Sequence, residues 1–137
     1  MIGYGKRVLL VHDPETTHLP LVATLQQEGF VVVEAPDGIR ALCEMQIRQF
    51  DVVVTDYHLP DATGLDLLKQ LQIAWPEIPV IQFTETGWGK CGMASVLEPF
   101  AWVRKSSDLG ILLSMLAWAM EQRTAQESVP ALAKVRA

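Results

Sequence analysis

The chain has 137 residues, half of them apolar and 20% charged, with a formal net charge of −5. That length and balance suit a single domain with a core of its own and exclude a disordered segment. The negative charge, with no Lys/Arg cluster beyond isolated pairs, argues against direct nucleic-acid binding, which needs a basic footprint.

In chain order, Arg7-Val8-Leu9-Leu10-Val11 reads as a buried strand that ends in His12-Asp13-Pro14-Glu15. Thr16 or Thr17 then caps a helix reaching about Glu28 and closed by Gly29. Pro20 either lies in its first turn, with the start near His18, or kinks it. Residues 30–35 form a second strand, and Pro36-Asp37-Gly38 a turn. Ile39, Leu42, Cys43 and Ile47 give the next helix an apolar stripe up to about Gln49.

A valine-rich third strand within Phe50-Asp51-Val52-Val53-Val54-Thr55 stops at Asp56, and Pro60 and Gly64 force a loop. From Gly64 a helix carries Leu65, Leu68, Leu71 and Gln72-Ile73 on its face and ends before Pro76. Residues 78–84 are a fourth strand. Three glycines between Glu85 and Gly92 leave room only for a short or irregular fourth helix, roughly Lys90 to Glu98. Phe100-Ala101-Trp102-Val103-Arg104 is the fifth strand, and Ser107 or Asp108 caps a last helix to about Gln122. Five strand–helix alternations predict a parallel sheet covered by helices on both faces. Residues 6–122 make the domain, and residues 123–137 a loosely attached extension or the root of a linker.

Cys43 and Cys91 lie far apart without metal-ligand spacing and read as reduced thiols of a cytoplasmic protein. The N-terminus lacks the order of a signal peptide. The longest apolar stretch, Ile111 to Met120, is shorter than the about 20 residues of a bilayer span, so no membrane insertion is expected.

The strand ends carry the chemistry. The first ends in Asp13, the third in Asp56, the fourth in Thr84 and the fifth in Lys105. Four polar residues at one edge of an apolar sheet have no packing reason to be there, and that edge is where open parallel sheets bind ligands. Two carboxylates brought close resist ionisation unless a cation lies between them. Mg²⁺, a hard ion that keeps several waters and uses one or two carboxylates, suits such a pair. A lysine and a hydroxyl suit a phosphoryl group, and a carboxylate can accept one as an acyl phosphate.

The pattern Val-Leu-Leu-Val-His-Asp…Asp-Val-Val-Val-Thr-Asp-Tyr-His-Leu-Pro-Asp-Ala-Thr-Gly…Pro-Val-Ile-Gln-Phe-Thr…Ala-Trp-Val-Arg-Lys resembles a response-regulator receiver domain of two-component signalling, of the chemotaxis-regulator kind. The resemblance runs from about Lys6 to Met120, with the four sites in the family's order and spacing. It implies an α/β, flavodoxin-like three-layer sandwich with five parallel strands in order 2-1-3-4-5 and five helices. It implies Asp56 as phosphoacceptor, Mg²⁺ held by Asp13, Asp56 and the His58 backbone carbonyl, and Thr84 and Lys105 on the phosphoryl group. Trp102 falls where the family carries an aromatic switch residue. The implied partners are a histidine kinase or phosphotransfer protein, and the implied activity is that of a regulator rather than an enzyme, beyond taking up and losing its own phosphoryl group.

The departures are His12 where the family has a second acid, Glu85 where it has a small residue, Ser106 for a proline, and Thr63 where an acid is common. His12 removes a negative charge, which predicts weaker Mg²⁺ binding with a pH dependence near neutrality. As a direct ligand His12 ranks below the carboxylates, because a lone histidine at a strand end is more often a hydrogen-bonded structural residue. Thr84 and Trp102 have equally plain readings, a strand end and a half-buried aromatic.

The last helix carries two stripes. Leu109, Leu112, Leu113, Leu116 and Met120 form the core face, and Ile111, Met115 and Trp118 lie opposite. The second stripe predicts a contact surface, for self-association as a homodimer or for another partner, unless residues 129–135 fold back over it. Trp88 either joins that surface or anchors its loop. Two readings compete: a phosphorylated receiver, and a pseudo-receiver of the same fold acting as a phosphorylation-independent interaction or dimerisation module. A flavodoxin-type nucleotide binder lacks the glycine-rich phosphate loop it would need after the first strand.

Overall fold

Strand β1 (Arg7–Val11) alternates strictly in what it touches. Val8 and Leu10 enter one apolar cluster, and Leu9 and Val11 enter another. A strand whose two faces are both buried must lie inside a sheet covered on both sides. The structure, a computed structural model, describes residues 2–12, 20–61, 63–84, 99–105 and 108–127. Its remaining strands are β2 (Val31–Ala35), β3 (Val52–Thr55), β4 (Val80–Phe83) and β5 (Ala101–Val103). All pair in parallel, in the order β2-β1-β3-β4-β5. The flavodoxin-like sheet expected from the sequence is the sheet observed. The central strands β3 and β4 are buried throughout, and the edges β2 and β5 are partly open.

Four helices are described: α1 (Pro20–Gln27), α2 (Gly38–Ile47), α3 (Gly64–Ala74) and α4 (Leu109–Glu127). One cluster packs Leu21 and Leu25 of α1 and Leu112, Leu116 and Met120 of α4 on Val8, Leu10, Val52, Val54, Ile81 and Phe83. The other packs Ala41 and Met45 of α2 and Leu67, Leu68 and Leu71 of α3 on Leu9, Val11, Val53 and Val80. Gly29 closes the α1 unit at φ +90, and any Cβ there would lie 2.8 Å from the Tyr4 Cα. The Thr16/Thr17 cap and the short helix near residues 90–98 lie outside the described residues, as do Cys91 and the tail from residue 128.

Three helix faces differ from expectation. On α2 the buried residues are Gly38, Ala41, Glu44 and Met45, whereas Ile39 and Ile47 are each 67% exposed and Cys43 is exposed. Of the expected stripe Leu42 is partly buried against the second cluster, while Ile39, Cys43 and Ile47 point to solvent because close packing on the sheet selects the small Gly38 and Ala41. Glu44 is tolerated on that face because its carboxylate reaches back to Arg40, 3.8 Å away, and Arg48, 3.4 Å away. On α3, Leu67 joins Leu68 and Leu71 in the core, and Ile73 is exposed. On α4, Leu112, Leu116, Ala119 and Met120 are buried, and Ile111 and Trp118 are about half exposed. Met115 departs from the outward stripe, being partly buried against the α1/α4 cluster. The helix runs to Glu127, past the expected end near Gln122. Asp108 caps it, its Oδ1 accepting the Gly110 N–H at 2.7 Å.

Candidate functional site

Because every strand runs the same way, every strand C-terminus meets one edge, and the residues that follow β1, β3, β4 and β5 are neighbours by construction. Asp56 leaves β3 with its N–H bonded to the Val11 carbonyl at 3.0 Å, so the chain stays in sheet register until the carboxylate has been delivered to the edge. There it is only 6% exposed. A carboxylate so far out of water needs donors, and it has them. Oδ1 accepts the His58 N–H at 3.3 Å, and Oδ2 accepts from the Lys105 ammonium just beyond β5.

Thr84 follows β4, buried, with its N–H on the Val103 carbonyl at 2.9 Å. His12 follows β1, also buried, its N–H on the Ala35 carbonyl at 3.0 Å and its Nε2 2.8 Å from Glu34 Oε1. An ionised carboxylate accepts only, so Nε2 is the donor in that bond. Glu34 was not foreseen. On the edge strand β2 it reads as one polar step of an alternation, and only the strand register brings it beside the end of β1. Asp13, Glu85, Trp88 and Ser106 lie outside the described residues.

The loop from Asp56 to α3 is held closely. The Gly64 N–H donates to the Tyr57 carbonyl at 2.5 Å, and His58 bridges to Thr63. Thr63, at the position where the sequence comparison expected an acid, is the α3 cap: its hydroxyl accepts the Asp66 N–H while Asp66 returns a bond to the Thr63 N–H. Gly64 is obligatory by space, since a Cβ would lie 2.5 Å from Gln82 Oε1 and 2.7 Å from the Asp56 carbonyl oxygen. Gln82, wholly buried in β4, donates from Nε2 to the Gly64 carbonyl at 3.0 Å, tying the strand before Thr84 to the loop after Asp56. Asp61, at the loop tip, accepts from Gly38 and Ile39 at the start of α2, 2.9 Å each. Burial acts against its charge, but the backbone donors Gly38 and Ile39 hold the carboxyl below its ordinary value. Sequence reading missed Gln82 and Asp61, because neither ends a strand and both depend on contacts between distant segments.

The arrangement provides a buried carboxylate with one oxygen on an ammonium, at the sheet edge where β4 also delivers Thr84. Among the described residues no three His, Cys, Asp or Glu side chains converge to hold a metal. The oxygen-donor chemistry of the Asp56 turn nevertheless suits a hard cation, while the His12 Nε2 is committed to Glu34. Trp102 is partly buried in β5, register partner of Gln82, and the Phe100 ring meets Trp118 edge-on at 5.3 Å.

Comparison with known proteins agrees with this fold. The family described as the response regulator receiver domain matches residues 8–98. The sensory transduction protein RegX3 of Mycolicibacterium smegmatis is 40% identical over 77 residues, covering 56% of this chain and 33% of that protein. The chain thus spans about a third of the length of such relatives. Among solved structures, the chemotaxis response regulator CheY4 of Vibrio cholerae superposes with a TM-score of 0.74 at 26% identity, covering 83% of this chain and 98% of that one. The response regulator TrrA of Thermotoga maritima, solved with Mg²⁺-BeF, gives 0.74 at 24% with the same coverage and is alike in fold. Receiver domains in general bind Mg²⁺ at the phosphorylation site, work with histidine kinases or phosphotransfer proteins, and are not enzymes of the usual kind. Among the described residues no helix is long and apolar enough to cross a membrane. With its fold and two thirds of its length matched, this chain belongs to the response regulator receiver domain family of two-component systems.

Proposed function

We propose that Asp56 accepts a phosphoryl group from a phosphohistidine of a histidine kinase or phosphotransfer protein. The observation that carries this is the Asp56 carboxylate itself, buried at the sheet edge and bonded to Lys105 and the His58 N–H. An Asp56 oxygen attacks phosphorus, the new O–P bond forms as the N–P bond to the donor breaks, and the released imidazole nitrogen keeps its electron pair and takes up a proton. Lys105 then follows the charge from carboxylate to phosphoryl oxygen, and the Thr84 hydroxyl donates to another. Asp13, Asp56 and the His58 carbonyl would hold Mg²⁺. That ion, when bound, neutralises charge on the transferring group. The Glu34 contact supports a structural role for His12.

Movement of Thr84 and Lys105 would alter the Trp102 environment in β5 and, through α4, the half-exposed Ile111 and Trp118, with Met115 beneath them. That face would serve a partner or a second copy of the chain as a homodimer, with residues 6–122 as the receiver unit in a cytoplasmic setting. The test is intact mass after incubation with acetyl phosphate, with and without Mg²⁺, beside Asp56→Asn. A Mg²⁺-dependent gain of one phosphoryl mass, absent from the variant, is expected. No gain from either acetyl phosphate or a phosphohistidine donor would overturn the reading.

A further inference from the structure

Helix α2 begins with amides that no preceding turn can accept. Asp37 caps one of them, its Oδ1 taking the Arg40 N–H at 2.7 Å. The other two, on Gly38 and Ile39, go to Asp61, one to each carboxylate oxygen at 2.9 Å. Asp61 comes from the loop that carries Asp56 and His58, more than twenty residues further along the chain. A carboxylate that takes two amides at the positive end of a helix makes charge-assisted bonds of fixed direction. Among the described bonds of this loop, His58 to Asp56 and Gly64 to Tyr57 close it on itself, Asp56 reaches Val11 and Lys105, and Gln82 joins its far end to β4, while Leu59 packs on the second apolar cluster. Asp61 holds its tip.

From this we propose that Asp61 is a positioning residue of the phosphoacceptor site. It pins the loop tip to α2 and so fixes the His58 peptide, whose N–H orients the Asp56 carboxylate and whose carbonyl would be a Mg²⁺ ligand. The proposal rests on Asp56 as acceptor. It separates the two carboxylates at the start of α2: Asp37 serves the helix, and Asp61 serves the site. Loss of a residue that orients a ligand typically weakens metal binding by tenfold or more.

The experiment compares Asp61→Ala, Asp61→Asn and Asp37→Ala in the full chain. Amide hydrogen exchange is read at Gly38, His58 and Gly64, and Mg²⁺ affinity by titrating the ion alone against amide NMR shifts. Asp61→Ala should speed exchange at all three amides and weaken Mg²⁺ binding about tenfold. Asp61→Asn should recover part of both, because its side-chain oxygen still accepts one N–H. Asp37→Ala should loosen α2 but leave His58, Gly64 and Mg²⁺ affinity unchanged. Wild-type exchange at His58 and Gly64 in Asp61→Ala would overturn the proposal, as would an equal effect from Asp37→Ala. Should the wild type bind no Mg²⁺ and take no phosphoryl group, the reading of Asp56 fails. The exchange comparison still decides whether Asp61 holds the loop.

Discussion

Lys105 supplies the counter-charge that lets Asp56 stay buried. The pair is unequal in what it can lose. With Lys105→Met the carboxylate keeps, among the described residues, the His58 N–H, 3.3 Å away, and an under-satisfied buried acceptor costs about 1–3 kcal/mol. Asp56→Asn keeps an oxygen for Lys105 and should cost less. Urea unfolding of both single variants and the double variant checks this, and a coupling below about 0.5 kcal/mol would mean that the two groups do not depend on each other. Asp61 makes a second prediction, in pH. Its carboxyl is held below the ordinary 3.8 by the amides of Gly38 and Ile39, so the unfolded chain binds the proton more tightly. Its contribution is therefore complete above that value and is lost as pH falls through the lower folded value. Wild type should exceed Asp61→Asn in stability at pH 6, and the gap should close with acid below pH 3.8. Asp56 and Lys105 stood out in the sequence because four polar residues end apolar strands at one edge, although Asp56 taken alone reads equally as a turn cap. Asp61, Gln82 and Glu34 were not, because each acts on a segment more than fifteen residues away.

Helix α2 shows how an element can be right in kind and wrong in setting. Its existence and approximate end were readable from the apolar content, whereas Asp37, read as part of a turn, is its cap. Its rotation was not. The expected stripe was Ile39, Leu42, Cys43 and Ile47, yet of these only Leu42 packs on the core, and the sheet takes Ala41 and Met45, because a helix seated close on a sheet selects for fit before hydrophobicity. The strands met no such ambiguity, since β3 and β4 are buried on both sides. The consequence is measurable. Met45→Ala should cost about 2–5 kcal/mol in chemical unfolding, whereas Ile47→Ala should stay within about 0.5 kcal/mol. The reverse order would mean that α2 sits with its isoleucines inward.

At the scale of the molecule, two apolar clusters lie back to back on one sheet, and the Asp56 edge is the seam where both end. Neither cluster is independent of the other, because neighbouring residues of β1 and of β3 belong to opposite ones. Unfolding should therefore be a single cooperative transition, and a ligand bound at the seam should stabilise the whole chain. Mg²⁺ at one hundred times its dissociation constant adds roughly 2.7 kcal/mol, which in a domain of this size raises Tm by about 10 °C. Differential scanning calorimetry with and without Mg²⁺ checks the gain, and chelation should remove it. The net charge of −5 supplies a competing explanation, because any divalent cation screens a negative surface. Asp56→Asn separates the two, since it removes one charge from the seam and leaves the rest of the surface untouched. A gain confined to the wild type locates the ion at Asp56. An equal gain in both proteins assigns the effect to screening and moves the metal away from the phosphoacceptor.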